Sequence, residues 1–372
     1  MSETPSGRST STELGAAPGV GVILSAVALA GLAVPVRRGV EDPVVWTGAA
    51  FALIALVAFL ARRHGGLERR WGAPIAAVSS FGVVLLSGYA MNQGITAAID
   101  VPLSSGGFPL AFAAFVAAGA GVGVGVADYV GLTNDGLRRR TVVTAGLSLL
   151  GALGLVGAFV ATQVIAIPAF FVLGEFTTPQ AVALSQLGFA VGTASVAVLY
   201  LVFKDYAFSF IDLRVPSIRD ALWTVAGLIV LFGALFAMSM LFSSAGVESA
   251  DHGTAQQAQQ NPDILLVLIP ASILIIGPFE ELLYRNVIQK SLYEVFSRAG
   301  AIVVASVIFA AVHVLAYSTA GLGAVVASLG IIFGLSLVLG TIYERTDNLL
   351  VPAIVHGVYN AILFTSLYFS VV

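Results

Sequence analysis

Residues 263–285 read DILLVLIPASILIIGPFEELLYR. No charge interrupts residues 264–279, and then Glu280 and Glu281 stand side by side. A membrane-spanning helix needs about 20 mostly apolar residues, so this stretch predicts a span over 263–284 with two carboxyl groups near its end. Charge at membrane depth costs roughly 2.5–3.5 kcal/mol per group even on the lenient scales. Two lone histidines, His313 and His356, lie inside later apolar stretches. Together they predict one polar site, built by several helices inside the bilayer.

The composition agrees. Hydrophobic residues make up 58% of the 372-residue chain and charged residues 10%, against about 25% charged in soluble domains. With no cysteine, a disulfide framework, a thiolate zinc site and a cysteine nucleophile are excluded. A net charge of −3 argues against a nucleic-acid partner. Lys204 and Lys290 are the only lysines among 17 basic residues. Adaptation to high salt and a GC-rich genome both produce that bias.

The fold class expected is all-α: a polytopic transmembrane helix bundle of about eleven spans, located in the cell membrane. The spans run over 17–36, 44–61, 73–98, 107–127, 142–173, 180–203, 221–243, 263–284, 300–318, 320–343 and 349–370. The 142–173 stretch is long and is expected to tilt or break near Pro168. Gly119 and Gly123 have small-xxx-small spacing, which marks a helix-packing face. Residues 1–16 read as a disordered tail. Residues 17–203 form an N-terminal transmembrane bundle, and 204–372 form a second bundle that holds every polar candidate.

Basic residues follow the even-numbered spans: Arg62 and Arg63, Arg138–Arg140, Lys204 and Arg214, Lys290 and Arg298, and Arg345. The loops after spans three, five, seven and nine have none. Positive charge stays on the cytoplasmic side, which places the N-terminus inside and the polar loop 244–262 outside. Arg37 and Arg38, after span one, are the misfit.

On a helix, Glu281 and Arg285 are four apart, with the acid first, the better orientation for a pair. Glu280 projects about 100° away and lacks that partner, which leaves it as a candidate general base. His313, in FAAVH, reads either as a core histidine bonded to a backbone carbonyl or as part of the site. His356 and Asn360 are also four apart and aim at one point from one helix. Asn360 alone would read as an interhelical hydrogen bond. Measured from a turn near Ser297–Gly300, Glu280 and His313 lie at similar depth, roughly 22–27 Å, on an antiparallel hairpin.

EExxxR, FxxxH and HxxxN, in this order on successive membrane helices, resemble the CAAX protease and bacteriocin-processing intramembrane endopeptidases (the CPBP or Abi family). Residues 210–220, FIDLRVPSIRD, resemble the interfacial segment that opens the family's core. The resemblance covers roughly residues 205–372. It implies an endopeptidase in which Glu280 and His313 activate water and His356 and Asn360 stabilise the oxyanion, with Glu281 and Arg285 in support. The partners implied are the lipid bilayer and a membrane-associated peptide or protein, in eukaryotic members a prenylated CaaX protein. No cofactor is expected.

Two other readings compete. A zinc protease would use Glu280, His313 and His356 as ligands with an open fourth position, although no HExxH is present. A transporter or non-enzymatic immunity scaffold would also hold Glu and His inside the membrane. The repeats that transporters show are not visible between 17–203 and 221–370.

Overall fold

The structure is a computed structural model that describes residues 15–100 and 107–372. The tail expected over 1–16 lies outside these, except that Gly15 is described and Ala16 opens the first helix. Among the described residues ten helices are long and apolar enough to cross a membrane, and the protein is a multi-pass, all-α membrane protein. An eleventh apolar helix is shorter. The chain divides into two compact units, one ending at Arg139 and the other comprising Arg140–Val372.

In the first unit, α1 (Ala16–Arg37), α2 (Pro43–Arg63), α3 (Arg69–Asn92) and α4 (Leu110–Tyr129) pack around small side chains, among them Ala28, Ala52, Ala90 and Ala114. Small residues let backbones approach where lipid gives no hydrophobic drive. Two-residue strands β1 (Ala98–Ile99) and β2 (Phe108–Pro109) pair antiparallel between α3 and α4. On α4 the glycines in contact are Gly121, against Ser80, and Gly125, against Ala77. Gly119 and Gly123, the expected packing face, meet nothing. The packing face lies two residues from the expected one, and two residues on a helix are about 200°, the opposite face. Arg62 bridges to Asp128 at 2.8 Å, which puts the ends of α2 and α4 on one side. Arg38 donates to the Ala98 carbonyl, which puts the loops after α1 and α3 on the other.

In the second unit, α5 (Asn134–Leu173) begins just before the unit boundary and runs for 40 residues, about 60 Å at 1.5 Å per residue. The expected break at Pro168 is absent. A proline forfeits one backbone hydrogen bond, and here the helix continues past it for another turn. Next come α6 (Thr178–Phe203), α7 (Ile218–Ser244), a short polar helix α8 (Gly253–Gln260) inside the expected loop, and α9 (Ile264–Leu292). Then follow α10 (Arg298–Val312), α11 (Leu322–Thr346) and α12 (Leu350–Val371). Helix α10 stops at His313 instead of running to 318, and the chain turns through 313–320. The outer faces of α5 and α7 leave Val156, Val164 and Ile229 exposed, as expected of helices in lipid.

Helices α5 and α6, grouped by sequence with the N-terminal bundle, pack on the motif-bearing helices. Tyr284 donates its hydroxyl to the Gly151 carbonyl, and Tyr200 bonds Ser291.

Candidate active site

Helix α9 is not a uniform α-helix. Gly277–Glu281 is α-helical, between π-helical stretches at Ser272–Ile276 and Leu282–Gln289. Such widened turns are uncommon and frequent at functional sites. The sequence supplies two causes: Pro270 and Pro278 each lack an N–H, so the i→i−4 ladder is already interrupted on both sides of Ser272–Ile276. Gly277 then lets α12 in. A Cβ there would lie 2.5 Å from the Ala353 carbonyl, and one on Gly357 would lie 2.6 Å from that of Ser272. The two backbones therefore touch one residue from His356 and three from Glu280, and this contact sets the distance between the acidic pair and the histidine.

Glu281 is wholly buried. Its carboxylate accepts from Arg285 Nε at 2.8 Å and faces His356 Nδ1 at 2.9 Å. Glu280, on the adjoining face, lies 3.8 Å from His356 Nε2. The Arg285 guanidinium is also fully buried, lies 4.9 Å over the Phe309 ring, and has no protein partner for Nη1 or Nη2. Phe309 in turn packs against Tyr284, His313 and His356.

His313 caps the end of α10, with Nδ1 2.7 Å from the Phe309 carbonyl. A carbonyl only accepts, so Nδ1 carries the hydrogen, and in the neutral ring Nε2 is left as the basic nitrogen. The carbonyl bond expected of a core histidine is thus present, and the ring nevertheless lines a cavity of about 650 Å³. Glu280, His356 and Asn360 line the same cavity. The structure brings these four together. Glu281 and Arg285 sit behind them in the protein.

Beneath the site a polar network ties the helices. Asp212, from the segment before α7, binds Lys290 at 2.7 Å and accepts from Tyr343 and Asn286. The Leu349 N–H donates to the Asp212 carbonyl. Arg214 pairs with Asp220 at 2.8 Å.

His252 was not singled out by sequence, because a histidine in a polar loop carries no signal. It lines the cavity from the N-cap of α8, where Nδ1 accepts the Thr254 N–H and the ring stands edge-on to Tyr317. Burial, and then the nearby His313, lower its proton affinity from the ordinary 6.5 to about 4.

A zinc ion would need three grouped donors. Among the described residues no three His, Asp or Glu side chains are grouped closely enough to hold an ion, and His356 is already flanked by Glu281 on one nitrogen and Glu280 on the other.

A family model, Rce1-like, described as type II CAAX prenyl endopeptidase Rce1-like, matches residues 262–362. The resemblance to CAAX proteases is thereby shown. The matched segment contains Glu280, Glu281, Arg285, His313, His356 and Asn360, and leaves out His252 and Asp212. It supports a CAAX-type intramembrane endopeptidase in general terms. No curated protein and no solved structure matches the chain.

Proposed function

We propose that this protein hydrolyses a peptide bond of a membrane-associated substrate, a lipidated CaaX-type chain being one candidate, at the cavity that Glu280, His313, His356 and Asn360 line. The observation that carries the proposal is the convergence of these four side chains, from α9, α10 and α12, on one cavity within the segment that matches a peptidase family. Glu280 takes a proton from water, with His313 Nε2 as the second acceptor. The hydroxide attacks the carbonyl carbon, and the tetrahedral oxygen is stabilised by the Asn360 amide and the His356 ring. Collapse breaks the C–N bond as the proton held by Glu280 passes to the leaving amine.

The carboxylate of Glu281 gives His356 its orientation. An ionised carboxylate only accepts, so Nδ1–H donates to Glu281. For Nε2 to donate to an oxyanion as well, the ring carries both protons. Glu280 is the nearby anion before reaction. As Glu280 becomes neutral by taking the water proton, the negative charge reappears on the oxyanion, and the charge count around His356 stays constant. Donors so placed are worth about 2.7–4 kcal/mol each.

The test is purified protein with membrane-anchored peptides, prenylated and not, beside Glu280→Gln and His313→Ala. Each variant is expected to fall below a tenth of wild-type rate, a loss of more than roughly 1.4 kcal/mol, with folding near normal. Retention of more than that by either would overturn the assignment of that residue.

A further inference from the structure

The cavity has a polarity that the family resemblance does not address. Every Lys and Arg of Arg140–Val372 except the buried Arg285 lies at one end of that unit. Their contacts show it: Lys290 binds Asp212, Arg214 binds Asp220 and the Thr346 carbonyl, Arg219 reaches the Arg345 carbonyl, and Arg298 lies over Tyr293. The opposite end carries Glu175, Glu248, Asp251 and Asp263 in its loops, and no Lys or Arg.

Between Glu280 and the basic end α9 is packed in. Arg285, Asn286, Gln289 and Leu292 are each fully buried on successive turns of α9. Toward the acidic end the protein is hollow. From Glu280 the cavity runs past Ser336 on α11 to Ser249, His252 and Thr254, with Leu367 near the end of α12. The strap that borders it there, 249–254, is fastened to the 316–328 region by Ala250 N–H to the Ala324 carbonyl, Gly253 N–H to the Ala316 carbonyl, and the Ser328 hydroxyl to the Ala250 carbonyl. The Ser336 hydroxyl stands in the cavity wall without a protein partner.

The basic end is the cytoplasmic one by the positive-inside rule. We propose that the peptide enters from the acidic end, so that the substrate is a membrane-tethered peptide on the non-cytoplasmic face, not a cytoplasmic C-terminus. This rests on the peptidase reading for the chemistry. The direction of access rests only on the cavity and the charges.

Because the chain has no cysteine, one introduced thiol reports one position. Lys204→Cys marks the basic end, Ala245→Cys the acidic end and Ser336→Cys the cavity wall. In intact cells a small, cationic, membrane-impermeant thiosulfonate should modify Ala245→Cys and Ser336→Cys, and should reach Lys204→Cys only after permeabilisation. Modification of Ser336→Cys only after permeabilisation, or not at all from either side, overturns the proposal. So does Lys204→Cys reacting in intact cells. A reporter peptide on a single-span anchor, presented outward or inward, gives the second readout. Cleavage of the outward form alone is expected, and cleavage of the inward form alone refutes the proposed side. If neither form is cut, the peptidase reading fails, while the labelling still decides the side.

Discussion

Replacing Glu281 by Gln should destabilise the fold more than any other isosteric change in the site. The carboxylate is fully buried and faces two partners, Arg285 Nε at 2.8 Å and His356 Nδ1 at 2.9 Å. Gln keeps the shape and, through its one acceptor oxygen, the Arg285 contact; its NH2 can meet His356 only if Nδ1 gives up its hydrogen and accepts. What disappears is the charge. Arg285 is then a lone buried cation whose Nη1 and Nη2 have no protein partner. The Phe309 ring 4.9 Å away offsets on the order of 2 kcal/mol of the cost. Leaving one member of a buried pair alone costs about 3–5 kcal/mol. For a unit the size of Arg140–Val372 that is a fall in Tm on the order of 10 °C. Thermal unfolding in detergent measures it, with Glu280→Gln, on the partly open face, as the control that should stay within about 1 kcal/mol. Arg285→Met in the Glu281→Gln background removes the stranded charge and should restore at least half of the loss. An unchanged Tm for Glu281→Gln, or a double variant no better than the sum of its singles, would show that the pair is not what holds α9 in place.

Asn360→Ala should lower kcat with little change in KM, because the amide is proposed to bind an oxygen that is anionic only in the transition state; steady-state kinetics checks it. His356→Ala should leave metal content unchanged by elemental analysis, whereas stoichiometric zinc lost in that variant would restore the zinc reading. His252 gives a pH signature in stability. Its folded value, about 4, lies below the ordinary 6.5, so between these the unfolded chain binds the extra proton. Its contribution is therefore complete above about pH 6.5, falls as pH drops, and is lost by about pH 4, up to about 3 kcal/mol in all. His252→Asn, which still caps a helix, should flatten that part of the stability profile in denaturant titrations; an unchanged slope would refute the assignment.

How far the sequence carries depends on the kind of signal. Hydropathy made the spans legible because lipid forbids unsatisfied backbone, so every crossing must be long, apolar and helical. The ends are less legible: α10 stops at His313, with nothing in AVHVLAYSTAGLG that hydropathy can separate from a continuing span. The acidic pair, the two histidines and Asn360 stood out because each is costly in an apolar run. What spacing could not give is which carboxyl does what. Helical geometry separates Glu280 from Glu281 by about 100° and pairs Glu281 with Arg285, yet it does not place His356 against Glu281. That contact depends on Gly277 and Gly357 meeting across α9 and α12, and a glycine in a Gly-rich membrane protein announces no partner. His252 escaped for the opposite reason: a histidine in a polar loop costs nothing until tertiary packing buries it, and only the fold of the 249–254 strap onto the turn after α10 does so. The hollow above Glu280 and the packed layer below it are equally properties of packing. The direction from which a substrate can approach therefore had to be read from the fold, although the charges that orient it in the membrane were visible from the start.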